Sequence, residues 1–221
     1  MPPTANAECV WAMEDVRDVS TRPDDPQRPV GCLDEASKQW VAATRVPIPA
    51  APGALERIDD AYERTGTAHL CMVFEPLAGQ RRVTVTDRRT AIDFAHVIRE
   101  VVDAHSPQAD PIVLVLDNLN TQKPASLSEA GEPAEARRLL ARLAIHHTPT
   151  HGSWFNMAET ARSVLAPQGL DRRIPAKSPL TREVAAWERQ RNTAECRIDW
   201  PFTTQDARIK LQRLYPSIQL G

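Results

Sequence analysis

The feature that most limits what this chain can become is the run Pro111-Ile112-Val113-Leu114-Val115-Leu116-Asp117-Asn118. Five apolar, mostly branched residues follow one another without alternation and stop at a carboxylate and an amide. A strand with one wet face alternates apolar and polar residues. A short unbroken run followed by turn-forming residues marks a strand covered on both faces, in the middle of a sheet. An ionised carboxylate at the end of such a strand is costly unless it has a partner. The rest of the chain must therefore supply a counter-charge or hold a cation there.

At 221 residues the chain suits one large domain, or one domain with extensions, and can bury a substantial core. Nineteen prolines predict long irregular connections. The four cysteines, Cys9, Cys32, Cys71 and Cys196, form no Cys-x-x-Cys pair, and Cys32 and Cys71 fall inside strand-like runs. That pattern predicts free thiols in a reducing compartment and excludes a zinc knuckle. The first residues lack a basic stretch followed by an apolar one, and no apolar run approaches the ~18 residues of a membrane helix. A cytoplasmic protein is expected. Net charge is −2, but it is unevenly spread: residues 1–136 carry 13 Lys/Arg against 22 Asp/Glu, and residues 137–221 carry 14 against 7. A basic second half can lie along a phosphate backbone, or simply neutralise the first half across the fold.

Taken in order, residues 11–19 read as weakly helical and 20–28 as a loop. Pro29–Glu35 reads as a strand placing Val30, Cys32 and Asp34 on one face and Leu33 and Glu35 on the other. Gln39–Ala43 reads as a second strand returning antiparallel, and residues 46–58, with three prolines and a glycine, as a loop or flap. His69–Phe74 and Arg82–Thr86 form a β-hairpin with a longer turn. Thr90-x-x-Asp93 is a capping box for a helix to about His105, with Ile92, Ala95, Ile98 and Val102 as its stripe and Phe94, Val97 and Val101 widening it. After the central strand, Ser126-x-x-Glu129 reads as the cap of one helical turn. Glu132-Pro133 opens a helix burying Leu139, Leu140 and Leu143. Ala144–Thr148 is a short strand, and Ser153 starts a helix through Glu159 to about Leu165. Ser178-Pro179 opens another to about Asn192, with Val184 and Trp187 inward. Thr203-x-x-Asp206 caps a last one containing Ile209, Leu211 and Leu214. The order β-β-β-β-α-β-α-β-α followed by helices predicts a mixed sheet with helices on both faces. A ribonuclease H-like α/β fold fits, and so, on pattern alone, do other α/β sheets.

Three carboxylates stand out. If the strands through Asp34 and Asp117 are parallel neighbours, about 4.8 Å apart, the two side chains can converge. A helix packed over the sheet can bring Glu159 to the same place. Three gathered carboxylates repel and take up protons unless a cation neutralises them, and hard oxygen donors favour Mg²⁺ or Mn²⁺. Two such ions about 3.5–4 Å apart activate a water or 3′-hydroxyl and stabilise the leaving oxygen of a phosphodiester. Taken singly, Asp34 also reads as an acidic strand end, and Glu159 as a solvated helix residue paired with Arg162 one turn on. Asn118 adds a polar group beside Asp117, and Asn156 shares a face with Glu159 as a supporting residue or a helix cap. His146, His147 and His151 look like a metal cluster, but alternation points the first two to opposite faces, and ordinary polar positions near a turn explain them better.

Several segments are recognisable together: Cys-Leu-Asp-Glu-Ala-Ser-Lys-Gln (32–39), Glu-Pro-Leu-Ala-Gly (75–79), Val-Thr-Asp-Arg-Arg-Thr-Ala (85–91) and Leu-Asp-Asn-Leu-Asn-Thr (116–121). His-Gly-Ser-Trp-Phe-Asn-Met-Ala-Glu (151–159), Leu-Asp-Arg-Arg-Ile-Pro (170–175) and Phe-Thr-Thr-Gln-Asp-Ala-Arg-Ile-Lys-Leu (202–211) continue the series. From about Val10 to Ile218 the chain closely resembles the catalytic part of bacterial DDE-superfamily transposases of the mariner-like insertion-sequence group. The resemblance implies a ribonuclease H-like fold with Asp34, Asp117 and Glu159 as catalytic, metal-binding triad. It implies Mg²⁺ or Mn²⁺, as two ions, and Asn118, Asn156 and Gln122 as supporting residues. Its reaction is cleavage at transposon ends and transfer of the 3′-hydroxyl into target DNA. Arg172, Arg173 and Lys177 are the expected DNA contacts, and a homodimer is compatible with it.

Two departures follow from the same resemblance. The family usually has His where this chain has Gln122, and Gln is neither acid nor base. Full members also precede this core with a helix-turn-helix region, for which the 33 residues before Asp34 are too few. The expected organisation is an extension or linker at 1–28, the catalytic domain at 29–170 and a helical extension at 171–221. End recognition would then come from the product of an upstream frame carrying the helix-turn-helix. The rival expectation is a truncated, inactive remnant that only binds DNA or a full-length transposase. A cellular ribonuclease H-like nuclease acting on RNA–DNA hybrids fits the motifs less well.

Overall fold

The computed structural model describes residues 6–215 except Glu56 and Ile58. The outer ends of the two expected extensions (1–5 and 216–221) and part of the 46–58 loop lie outside the described residues. Strand β4 (Ile112–Leu116) is buried at all five positions. It sits fourth in a five-stranded sheet of order β3-β2-β1-β4-β5, formed with β1 (Val30–Ala43), β2 (Tyr62–Glu75), β3 (Gln80–Thr86) and β5 (Leu143–His147). β1, β2 and β3 pair antiparallel, whereas β4 runs parallel to both β1 and β5. This is the mixed sheet expected from the chain order.

Helices α1 (Ala7–Ser20), α5 (Met157–Gly169), α6 (Lys177–Thr193) and α7 (Thr204–Lys210) cover one face. Helices α2 (Ala91–Glu100, continued by a π-helical turn Val101–His105), α3 (Pro124–Glu129) and α4 (Pro133–Ala141) cover the other. The period-two alternation of β1 and β4 is visible in which core each residue joins. Val30, Cys32, Val113 and Val115 pack under the first helix layer, and Leu33, Ile112, Leu114 and Leu116 under the second. The expected faces of β1 are therefore observed. Residues 7–20 are part of the first core through Met13, Val16 and Val19.

Several local expectations change. Residues 30–43 form one strand and not two, because Ala36-Ser37-Lys38 contains no Gly, Pro, Asn or Asp and all of it pairs across to Ala68–Leu70 of β2. The resulting long hairpin is irregular at Trp40/Val41 and passes Trp40 opposite Gly66, where a Cβ would come within 2.6 Å of the indole. Both capping boxes form, Thr90 with Asp93 and Thr203 with Asp206. Ser126 is not a cap; it is buried inside α3, which Pro124 opens at its first turn. Ile92 is about half exposed, and Ile209 is exposed, while Leu211 and Leu214 lie beyond the end of α7. Leu143 belongs to β5, where it is half-buried. All four cysteines are free thiols. No helix among the described residues is long and apolar enough to cross a membrane.

Candidate active site

The parallel register of β1 and β4 pairs Cys32 with Val115 and Leu33 with Leu116. One step further along both strands come Asp34 and Asp117, on the same face as Cys32 and Val115, the face that α5 covers. Both carboxylates are nearly buried, at 5% and 8% exposure. Parallel neighbours bring these two positions to the same height on one face of the sheet.

Asn156 joins this strand pair to α5. Its side-chain oxygen accepts from the backbone N–H of Ala158 at 3.0 Å, so it caps the helix. Its amide nitrogen donates to the carbonyl of Leu33 at 2.7 Å and to the Asp117 carboxylate at 3.2 Å. One fully buried amide therefore fixes the start of α5 against β1 and β4 together. Asn156 is thus the cap of α5 and at the same time a hydrogen-bond donor to Asp117. Glu159 follows within the first turn of α5, a third exposed, with its Oε2 buried and without a hydrogen-bond partner.

Two contacts were not expected. Thr148, at the end of β5, donates its hydroxyl to Asp117 at 3.1 Å. Arg162, assigned from sequence to Glu159, places its Nε 2.5 Å from Asp34 Oδ2 and its Nη2 3.8 Å from Glu159 Oε1. Spacing along α5 shows only the second, because Asp34 is 128 residues away in the chain. The period of β5 puts Thr148 next to Asp117 once the parallel pairing is known, and nothing in the sequence alone gives that pairing.

Electrostatics follow from this enclosure. Burial pushes the Asp117 carboxyl up to about 6, the fields of Asp34 and Glu159 add to the rise, and the hydrogen bonds from Asn156 and Thr148 oppose it. Asp34 is likewise raised by burial, with Arg162 pulling it back and Glu159 adding to the rise. The three acidic groups thus lie within one another's fields.

The remaining expected residues are dispersed. Asn118 is exposed, its amide 3.5 Å from the Thr150 hydroxyl, beside an open groove of about 430 Å³ lined in part by Trp11, His147 and His151. Gln122 is fully buried on the opposite face of the sheet from Asp34. Its amide leans toward Glu35 without closing a hydrogen bond. Arg172 pairs with Glu183, the Arg173 guanidinium donates to the carbonyl of Asp59, and Lys177 lies 2.7 Å from Asp87. Each of these three cations has an intramolecular partner. His146 is bonded to Asp15 of α1 at 2.7 Å.

The sequence model of the DDE superfamily endonucleases matches residues 29–181, more than half of the chain. The chain belongs to this family. No curated protein sequence matches it. Among solved structures it is similar to the Mos1 strand transfer complex, with a TM-score of 0.57 at 7% identity over 98% of this chain and 65% of that one. It is also similar to the Mos1 mariner paired-end complex with Mn, with a TM-score of 0.54 at 10% identity over 87% of this chain and 60% of that one. At such identities the likeness establishes the ribonuclease H-like fold of transposase catalytic domains. The chain spans less than two thirds of the length of those relatives.

The donor set of this DDE endonuclease fold suits a hard divalent ion. Asp34, Asp117 and Glu159 offer only carboxylate oxygens, and Glu159 Oε2 is buried without a donor. As the side chains stand, no three His, Cys, Asp or Glu groups among the described residues are gathered closely enough to hold a metal. Arg162, drawn onto Asp34, contributes the positive charge that is present.

Proposed function

We propose that this chain is the catalytic domain of an insertion-sequence transposase that cuts DNA strands and joins the freed 3′-hydroxyl to target DNA. Asp34, Asp117 and Glu159 are its metal ligands, and Mg²⁺ or Mn²⁺ the cation. The observation that carries this reading is the placement of two nearly buried carboxylates side by side on adjacent parallel strands, beneath the helix that bears a third. The similar Mos1 complexes are a paired-end complex with Mn and a strand transfer complex, which is the chemistry proposed.

Bound divalent ions would lower the pKa of a nucleophilic water or hydroxyl and stabilise the leaving oxygen at the scissile phosphate. The chain's own residues do the positioning. Asn156 and Thr148 fix one Asp117 oxygen by donating to it, which leaves the other free to ligate. Cys32, Val115 and Ala158 form a dry floor, which keeps the local dielectric low and strengthens every charge interaction above it. The groove beside Asn118 is lined by Asn118 and Thr148, the chain neighbour and the hydrogen-bond donor of Asp117, and is the proposed path of a DNA strand. Arg172, Arg173 and Lys177 reach DNA only by exchanging their present partners for phosphates. Transposon ends and target DNA are its DNA partners in this reading, and a homodimer would bring two such centres together.

A second reading, binding of DNA or of a full-length transposase without cleavage, is favoured by one observation, the contact of Arg162 with Asp34. Supercoiled plasmid incubated with the purified chain and Mn²⁺ separates the two. Nicking that disappears in Asp117→Ala is expected. Nicking that persists unchanged in Asp117→Ala removes the proposed centre, and DNA binding without nicking in the native chain supports the second reading.

A further inference from the structure

We propose that Arg162 is a built-in cation holding the place between Asp34 and Glu159, so that the resting chain takes up one divalent ion fewer than its carboxylates could ligate. The inference rests on the reading of Asp34, Asp117 and Glu159 as a metal centre, and concerns how many ions that centre holds.

Three observations converge on it. Arg162 lies one turn after Glu159 on the same face of α5, and its Nε meets Asp34 Oδ2 at 2.5 Å, a charge-assisted contact to a carboxylate that is 7% exposed. The same guanidinium turns its Nη2 toward Glu159 at 3.8 Å. It is therefore shared between two of the three proposed ligands. Among the described residues, Arg162 is the one side chain that hydrogen-bonds to Asp34, whereas Asp117 has Thr148 and Asn156. The arginine occupies the Asp34 and Glu159 side of the cluster and makes no contact with Asp117.

The charge count agrees. Three ionised carboxylates and one guanidinium leave two negative charges, which a single divalent ion balances. Without the guanidinium, three negative charges converge with one positive group removed, and a second ion has both its ligands and its electrostatic incentive. Arg162 is about one third exposed, and its long stem can swing the head group out to solvent, so the place can be vacated. A phosphate of bound DNA is a natural acceptor for the released guanidinium, which would couple uptake of the further ion to the arrival of substrate.

The measurement is a count of Mn²⁺ bound per chain at saturation in the absence of DNA, read from the loss of the free-Mn²⁺ signal in electron paramagnetic resonance. Arg162→Ala is expected to bind one ion more than the native chain. Arg162→Gln, which keeps most of the side-chain volume, provides the same reading if the alanine variant folds poorly. An unchanged count in the folded variant, whatever its affinity, overturns the inference. Asp117→Asn separates this failure from failure of the underlying site. If Asp117→Asn loses the native ion while Arg162→Ala gains none, the carboxylate centre stands and the arginine's role falls. If Asp117→Asn leaves the count untouched in both the native and the Arg162→Ala backgrounds, the centre itself is wrong and this inference falls with it.

Discussion

Charge is buried in two regions of this fold, and the two are built differently. On α1 and β3, Arg17 and Arg81 are withdrawn from water, at 0% and 2% exposure. Arg17 donates to the carbonyls of Trp200 and Phe202 and lies 4.7 Å from the centroid of the Trp200 ring. Arg81 donates to the carbonyl of Cys196 and lies 4.8 Å over Phe74. These partners are neutral carbonyls and aromatic faces, and they all hold the segment after α6 against the body of the fold. At the centre of the sheet, Asp34 and Asp117 are nearly as deeply placed, Arg162 is paired with Asp34, and the fields of Asp34 and Glu159 act on Asp117. The first region uses buried charge to fasten chain to chain. The second gathers like charge that only Arg162, at Asp34, offsets, and the burial that raises Asp117 makes its ionised form costly to the fold.

Replacing Arg17 by Met should produce the largest change in stability, a loss of about 2–4 kcal/mol. The cause is two carbonyls left without donors beneath a side chain that cannot reach them. Urea unfolding gives the magnitude. Limited proteolysis should show cleavage in 194–203 appearing first, because that is the segment released. A neutral substitution would mean that the ring contacts alone hold the segment, and the contrast between the regions would weaken.

Asp117→Asn should act in the opposite direction. Asp117 has a folded-state pKa raised to about 6 from an ordinary 3.8, so the fold favours the protonated form. Its contribution to stability is complete below about pH 4 and is lost as pH rises through about 6. Asparagine imitates the neutral acid at every pH. The variant should therefore match the native chain near pH 4 and exceed it above pH 7, by roughly 2 kcal/mol once partial solvation is allowed for. Thermal unfolding at both pH values, without metal, makes the comparison. A variant less stable at neutral pH would show that the carboxylate is structural, and the two regions would then be alike.

What could be read in advance divides along a related line. The buried strand before Asp117, the capping boxes at Thr90 and Thr203, and the prolines at the starts of α3 and α4 are local signals, and they specify the elements they belong to. Asp34 and Asp117 were legible as a pair because an apolar run ending in an acid is informative about burial. Arg17 was not, since an arginine on a weakly amphipathic helix reads as a solvated face until the distant Trp200 and Phe202 are placed over it. The second half of β1 was obscured for the same reason: its polar residues are paired by Tyr62–His69, which the chain reaches only after the long loop. The Arg162–Asp34 contact belongs to this class as well. Interactions between residues far apart in sequence become visible only once the elements that carry them are packed together.

The smallest effect is expected at Arg138, which looks best connected on paper. Its guanidinium makes four hydrogen bonds, two each to Asp103 and Glu135, in near-ideal forked geometry. Arg17, with donors left unpaired, has a poorer count. The difference is solvent. Arg138 and Asp103 are both more than 40% exposed, so water already satisfies these groups in the unfolded chain and screens them in the folded one. Arg138→Ala should move the urea midpoint far less than Arg17→Met, and the residual shift should shrink further as salt is raised. If it destabilised the protein as much as the buried substitution, number of contacts and not burial would set the worth of a charge here. The distinction drawn between the arginine pegs and the carboxylate centre would then lose its physical basis.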